Sequence, residues 1–89
     1  MAYRPNVVVY TRQGCGLCRQ AEAQVAREGR RANVTHVDVD TADALVERYG
    51  VRVPVIEVDG IEIAEFELSP GQLKQALRKA RRRAHRPDG

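Results

Sequence analysis

The chain has 89 residues, enough for one small domain with a single modest core. No run approaches the roughly 18 apolar residues of a membrane-spanning helix, and the first residues lack the apolar segment of a secretory signal, so we expect no membrane partner and a cytoplasmic location. The net charge of +3 comes from residues 78–89, where six basic residues stand against one acidic residue. Nine basic and eleven acidic residues remain in 1–77. The sequence therefore predicts a domain over 1–77 and a basic C-terminal tail over 78–89.

The first elements in chain order are predicted as a strand, a helix and a strand. An unbroken apolar run over Val7–Thr11 indicates a central strand that is covered on both faces. A helix is predicted over residues 15–28, and a second strand over residues 34–39. The inward face of the helix is predicted to carry Leu17, Ala21 and Val25.

Capping residues predict where the two later helices begin and end. Asp40 or Thr41 is expected to cap a short helix that ends at Gly50. The segment 69–72, Ser-Pro-Gly-Gln, predicts an N-cap, a proline at the first helical position and a capping-box glutamine. We expect the basic tail to continue this last helix and to become disordered after Ala84.

Two strands and a tight hairpin are predicted between these helices. The third strand covers residues 53–58, with Pro54 at its beginning, where a missing N–H is tolerated. The dipeptide Asp59-Gly60 is a strong signal for a two-residue hairpin. The chain then returns as a fourth strand over residues 61–66.

The only two cysteines form the motif Cys15-Gly16-Leu17-Cys18, directly after the first strand and at the start of the predicted helix. A thiol in the first turn of a helix meets unpaired N–H groups and the positive end of the helix dipole, which favour the thiolate. Three residues along the helix, the second sulfur lies close enough to the first to form a disulfide. This arrangement is typical of thiol–disulfide exchange.

The element order β-α-β-α-β-β-α, with the C-x-x-C after the first strand and Val53-Pro54 opening the third, resembles the thioredoxin fold. In its short form it is similar to the glutaredoxins and small glutaredoxin-like proteins. The segments that carry this resemblance are residues 9–18, residues 49–54 and Asp59-Gly60. The resemblance implies an α/β glutaredoxin-like domain over 1–77, with a central mixed four-stranded sheet and helices on both faces.

The resemblance also implies a role for each motif residue. Cys15 would be the attacking thiolate and Cys18 the resolving thiol. Pro54 is expected to be cis beside the two sulfurs, and Val53 would offer its backbone N–H and C=O to a bound thiol peptide, as an added strand does. Arg12 matches the basic position that contacts a glutathione carboxylate in glutaredoxins, and its charge would lower the pKa of Cys15.

Other positions depart from the family pattern but remain candidates for contact with a substrate. The segment 64–67, Ala-Glu-Phe-Glu, stands where glutaredoxins carry two glycines and an acid, and Glu65 or Glu67 would bind the amine of glutathione. Gly16 replaces a common proline, and Leu17 replaces an aromatic residue. The candidate substrate- or thiol-binding residues are Arg12, Val53, Pro54, Tyr10, Gly16, Leu17 and Glu65.

The resemblance implies a monomeric thiol–disulfide oxidoreductase that acts on a disulfide-bearing protein or a small thiol. It implies no tightly bound cofactor, with glutathione or an analogue as a candidate co-substrate and a thiol reductase as a candidate partner. No metal site within the chain is expected, because only His36 and His85 could join the cysteines. Nucleic acid is not an expected partner either, since no aromatic residues interleave the basic tail and the body is acidic.

Two alternatives remain open from the sequence. One is an iron–sulfur or metal carrier dimer that uses Cys15 together with low-molecular-weight thiols. The other is a non-catalytic thioredoxin-fold module that serves only for docking. A purified carrier would be coloured, whereas a docking module would keep its function after Cys15→Ser.

Overall fold

The computed structural model describes residues 3–85 and contains one mixed four-stranded sheet with three α-helices. The disorder predicted after Ala84 falls, apart from His85, on residues outside this range. In chain order, the elements are β1 (Asn6–Thr11), α1 (Gly16–Glu28), β2 (Asn33–Asp38), a 3₁₀ turn (Val39–Thr41), α2 (Asp43–Tyr49), β3 (Val55–Val58), β4 (Ile61–Glu65) and α3 (Gln72–Ala84). No helix within residues 3–85 has the length and apolar character needed to cross a membrane.

The predicted mixed sheet is confirmed, with strand order β2-β1-β3-β4. Strand β1 is parallel to β2 and antiparallel to β3, and β3 is antiparallel to β4. The hairpin between β3 and β4 turns at Asp59 and Gly60, whose φ angles of 49° and 84° are both positive, as a two-residue hairpin of the favoured twist requires. Central position explains why β1 is almost continuously apolar.

Helices cover both faces of the sheet, as predicted, but the two cores differ in composition. Helices α1 and α3 pack on one face, here called the α1–α3 face, through an aliphatic core. This core contains Val7, Val9, Ala21, Val25, Ile56, Val58, Leu73, Leu77 and Ala80. Each fully buried Val, Leu or Ile contributes about 1.5–3 kcal/mol through the area it removes from water.

The other face of the sheet, the α2 face, has a smaller core that includes polar groups. Val39, Val55 and Tyr49, the last residue of α2, are buried there. Tyr10 stacks on Tyr49 with ring centroids 3.9 Å apart and an interplanar angle of 16°. Glu57 is only 8% exposed on this face, and the two tyrosine hydroxyls satisfy its carboxylate.

The structure corrects the predicted inward face of α1. Ala21 and Val25 are buried as expected, but Leu17 is 43% exposed, and Cys18 takes the inward position in the first turn. Residues four and three positions before Ala21 both lie near its face of the helix, and of these two the structure buries Cys18 rather than Leu17.

The predicted N-caps of α2 and α3 are wrong, because distant groups bind the partners that these caps would use, but the predicted capping-box glutamine is confirmed: Gln72 Oε1 accepts the N–H of Ser69 at 3.0 Å. The Asp40 carboxylate pairs with Arg12, so α2 begins after Ala42 without a side-chain cap. Helix α3 begins at Gln72, two residues later than predicted, after Gly71 at φ 81°. The Glu28 carboxylate, on α1, accepts hydrogen bonds from the N–H groups at this helix start. The predicted stop of α2 at Gly50 is confirmed.

Candidate active site

Both cysteines lie at the N-terminal end of α1, just beyond the carboxyl end of the central strand β1. Their sulfurs form a disulfide, with the two Cα atoms 5.2 Å apart, so the predicted approach of the two sulfurs is confirmed. Cys15 is half-buried, whereas Cys18 is fully buried against the α1–α3 core. A reagent from solvent therefore reaches Cys15 before Cys18.

The sulfur of Cys15 also caps the helix that carries it. Cys15 is the N-cap of α1, and its Sγ accepts the N–H of Cys18 at 3.0 Å. No acidic side chain lies in the first turn of α1, so none there opposes negative charge on this sulfur. Unpaired N–H groups and the helix dipole both favour such a charge on Cys15.

Two glycines flank Cys15 at the turn from β1 into α1. Gly14 has a φ of 75°, in the left-handed region that glycine adopts without strain. A Cβ atom at Gly16 would meet no heavy atom within 4 Å. The backbone beside the Cys15 sulfur is thus open to an approaching chain.

The Val53–Pro54 peptide bond is cis, as the resemblance implied. Pro54 is fully buried and directly precedes β3, at the end of the sheet where β1 leads toward the cysteines. The backbone N–H and C=O of Val53 make no hydrogen bond with any residue from 3 to 85. These two groups are therefore available to pair with an extended chain.

Arg12 is held by a neighbouring acid and a helix end. Its Nη2 and Nε atoms contact the two Asp40 carboxylate oxygens at 2.7 and 3.2 Å, and its Nη1 donates to the Gly50 carbonyl at 3.1 Å. These hydrogen bonds hold the pKa of Asp40 below its usual value of 3.8. Arg12 thus ties the end of β1 to the end of α2, and its predicted contact with a thiol ligand stays a prediction.

Glu65 is also paired within the domain. Its Oε2 lies 3.1 Å from Arg52 Nη1, and the same guanidinium contacts Glu62 at 2.9 Å. The Arg52 guanidinium carbon also lies 5.5 Å from the centre of the Tyr49 ring. The predicted contact of Glu65 with a ligand amine remains a prediction, because such an amine would compete with Arg52.

Tyr10 lies on the α2 face of the sheet, opposite α1. Its hydroxyl donates to Glu57 Oε1 at 3.2 Å, while the Tyr49 hydroxyl donates to Glu57 Oε2 at 3.0 Å. Burial, together with the neighbouring Tyr49 hydroxyl and Glu57 carboxylate, raises the pKa of Tyr10 well above its usual value of 10.0. The structure therefore places the cysteines, Val53 and Pro54 at the same end of the sheet, and Tyr10 in the second core.

The comparisons with known proteins agree with this geometry. Residues 6–78 match the model of the glutaredoxin-like domain (DUF836). The chain belongs to the glutaredoxin-like domain family. Similar structures include a structural-genomics target protein from X. campestris (31% identity, 82% of this chain and 96% of that chain, TM-score 0.69). A mutant thioredoxin from Halobacterium salinarum is also similar (30% identity, 86% and 74%, TM-score 0.61). An uncharacterized protein of Mycobacterium tuberculosis is 29% identical over 84 residues, which are 86% of this chain and 87% of that protein.

The glutaredoxin-like domain carries one unusual backbone feature that sequence reasoning missed. Phe66 directly follows β4 and has a φ of 70°, while the N–H of Glu67 donates to the Glu65 carbonyl at 2.8 Å. This is the rare, strained form of γ-turn. The N–H of Phe66 donates to the carbonyls of Pro54 at 2.9 Å and Arg52 at 3.3 Å. The strained residue is therefore joined directly to the cis-proline loop.

Three apolar side chains at this end of the glutaredoxin-like domain are exposed. Leu17 is 43% exposed, Phe66 47% and Val51 88%, and we call these three residues the apolar rim. Each belongs to a segment of the site: the C-x-x-C helix, the end of β4, or the loop before Pro54. Leu17 was a candidate from the sequence, whereas Val51, inside the matched segment 49–54, and Phe66, beside Glu65, were missed.

No group of three histidine, cysteine, aspartate or glutamate side chains within residues 3–85 lies close enough together to hold a metal ion. His36 is exposed on β2, an edge strand of the sheet. In the chain, the loop around Gly29 separates this strand from α1.

Proposed function

We propose that this glutaredoxin-like domain is a thiol–disulfide oxidoreductase that works through Cys15 and Cys18. The observation that carries the proposal is the disulfide at the N-terminal end of α1, with one sulfur reachable and the other buried. A cytoplasmic location belongs to the same proposal, since reducing compartments keep such a cysteine pair available for exchange.

The exchange reaction needs only the two thiols and a substrate disulfide. The Cys15 thiolate attacks one substrate sulfur, the substrate S–S bond breaks, and the departing thiolate takes a proton from solvent. Cys18 then gives its proton to solvent and attacks the Cys15 sulfur, which releases the second substrate thiolate. Two electrons pass to the substrate, and the domain is left with the Cys15–Cys18 disulfide. A low-molecular-weight thiol or a thiol reductase then supplies two electrons to reduce it again.

The capping geometry supports Cys15 as the attacking group. A sulfur that accepts an N–H at the positive end of a helix is stabilised as the anion, and charge-assisted hydrogen bonds are the stronger kind. The burial of Cys18 supports its role as the resolving thiol, because a mixed disulfide at Cys15 is within its reach and other disulfides are not.

The surroundings of the site favour a protein disulfide over glutathione as the substrate. The unpaired backbone of Val53 can accept an extended peptide as an added strand, and the apolar rim can contact its side chains. Arg12 and Glu65, the two side chains expected to bind glutathione, are already paired with Asp40 and Arg52.

The decisive experiment is to measure the pKa of Cys15 from the ultraviolet absorbance of its thiolate in the Cys18→Ser variant. We expect a value well below the free-thiol figure of about 8.5. The matched Cys15→Ser variant reports Cys18, for which we expect no such lowering because it is buried. A Cys15 value at or above 8.5 would contradict the mechanism.

Trapping the mixed disulfide is the second part of the test. With Cys18 replaced by serine, the covalent adduct with a disulfide-bearing protein should accumulate, because nothing resolves it. The same preparation separates the carrier alternative: an iron–sulfur cluster would give visible absorbance after anaerobic purification, whereas a dithiol would not.

A further inference from the structure

A groove lined by basic residues lies at the C-terminal end of α1, away from the cysteines. It has a volume of about 400 Å³ and separates the end of α1 and its following loop from α3. We call it the cationic groove, because six of its eight lining residues are basic: Arg27, Arg30, Arg31, Lys74, Arg78 and Arg81. The other two lining residues are Glu28 and Leu77.

The charge of the groove is not neutralised within the domain. Among residues 3–85, none of the six basic side chains forms an ion pair with a carboxylate. Glu28, the one acid in the lining, accepts the N–H groups of Gly71 at 2.8 Å and Lys74 at 3.3 Å. It is thereby committed to the N-terminal end of α3. A concave surface with such a charge balance concentrates positive potential and attracts anions.

The lining lacks the features that a membrane or protein partner would require. The groove lining contains none of the exposed large apolar residues of the described chain, and its Leu77 is buried; those exposed residues are Tyr3, Leu17, Val51, Ile61 and Phe66. Binding in the plane of a bilayer needs exposed apolar side chains, and the centre of a protein interface is apolar and depleted of charged residues. Phosphate contacts need neither, since affinity for a nucleic acid backbone comes from the cations themselves.

We propose that the cationic groove binds nucleic acid through its phosphate backbone, without reading the base sequence. Five of the six cations are arginines, whose planar guanidinium suits two-pronged contact with phosphate. The sequence argued against this partner because the basic tail lacks aromatic residues and residues 1–77 carry a net negative charge. The structure adds Arg27, Arg30 and Arg31 from the body, and phosphate contacts require no aromatic residue.

The two sides of the groove suit a linear polyanion. Lys74, Arg78 and Arg81 are spaced four and three residues apart, so they share one face of α3 over about 10 Å. The basic residues from α1 and its loop form the opposite side. Since α1 has 13 residues and rises about 1.5 Å per residue, the groove lies roughly 20 Å from Cys15 along the helix. Bound nucleic acid would leave the disulfide accessible, so the domain could act on proteins held nearby.

Salt-dependent binding of a labelled duplex, measured by fluorescence anisotropy for two unrelated sequences, tests this proposal. The groove variant is Arg78→Gln/Arg81→Gln. Its matched control is Lys79→Gln/Arg83→Gln, which removes the same charge from the same helix. Lys79 and Arg83 line a different cleft. We expect log K against log salt to fall with a slope of about −0.9 per phosphate contact, and the groove variant to lose about two units of slope for both sequences.

Three results would overturn the proposal: no salt-dependent binding by the intact domain, equal weakening in both variants, or a strong preference for one sequence. Displacement of the duplex by polyglutamate or by phosphatidylserine vesicles at equal charge concentration would also overturn it, in favour of an acidic protein or a membrane. Both variants remove two cations from the last turns of α3, so their helix ends are weakened alike. Their rate of disulfide reduction should equal that of the parent, which keeps this test separate from that of the exchange mechanism.

Discussion

At each end of α1, a titratable side chain accepts N–H groups from the start of a helix, but one contact serves reactivity and the other stability. At the N-terminal end, Cys15 Sγ accepts the N–H of Cys18, and at the C-terminal end, the Glu28 carboxylate accepts the N–H groups that begin α3. In both places a titratable side chain binds the positive end of a helix. Cys15 has one such contact and an open approach, so its charge stays available for reaction. Glu28 has several contacts, so its charge contributes to stability.

The largest expected effect comes from replacing Cys15, which is both the proposed nucleophile and the N-cap of α1. Cys15→Ser should reduce disulfide exchange to the uncatalysed level, because a hydroxyl is not an effective nucleophile at neutral pH. Serine is also a favourable N-cap, so α1 should persist, whereas Cys15→Ala should unfold about 1 kcal/mol more easily under reducing conditions. Insulin-type reduction assays and urea unfolding measure the two quantities, and residual exchange in Cys15→Ser would contradict the assignment.

At the other end, Glu28→Gln should lower the free energy of unfolding by about 1–3 kcal/mol, since hydrogen bonds to a charged acceptor are lost. Exchange activity should not change, because the cysteines lie at the far end of α1. The matched control is Glu22→Gln, which breaks only an exposed i, i+3 ion pair with Arg19 and should cost less than about 0.5 kcal/mol. Equal losses in the two variants would show that Glu28 does not join α1 to α3.

The contribution of the Glu28 carboxylate to stability is expected to decrease at acidic pH. Burial raises the pKa of Glu28, but the N–H groups of Gly71, Leu73 and Lys74 and the Gln24 amide outweigh burial, so the folded-state pKa lies below 4.5. The contribution is therefore complete above the unfolded-state pKa and is lost as the pH falls through the folded-state value. Urea unfolding of the parent and Glu28→Gln across this range should show their difference shrink below about pH 4.5. A constant difference would contradict this cause.

These distant contacts mark the limit of what the sequence predicts. The strands, the hairpin at Asp59-Gly60 and the start of α1 follow from local patterns, and the cis bond before Pro54 follows from the resemblance. The beginning of α3 does not, because Glu28 is 43 residues from Gly71 in the chain. Arg12 and Asp40 are likewise 28 residues apart. A capping signal read locally cannot show that a remote side chain competes for the same N–H group.

The candidate site shows the same division. The cysteines and Val53-Pro54 were found from sequence because each belongs to a short motif. The cationic groove was not found from the sequence, because its two sides come from residues 27–31 and 74–81. Only the second of these segments shows a helical spacing of basic residues in the chain. Residues 78–84 continue α3 without a break, as expected, but only the structure shows that Arg78 and Arg81 face the basic residues that follow α1.

The variant with the smallest expected effect tests whether the apolar rim around the cysteines helps to select the substrate. Phe66→Gly relieves the left-handed backbone conformation but makes the unfolded chain more flexible, so stability should change by less than about 1 kcal/mol. The rate with a protein disulfide should fall several-fold through loss of apolar contact, while the rate with a small disulfide should not. The matched control is Ile61→Ala, because Ile61 begins the same strand that Phe66 follows and is 49% exposed. If Ile61→Ala lowers the protein-disulfide rate equally, exposed apolar area in general, and not the strained residue beside Pro54, governs substrate contact.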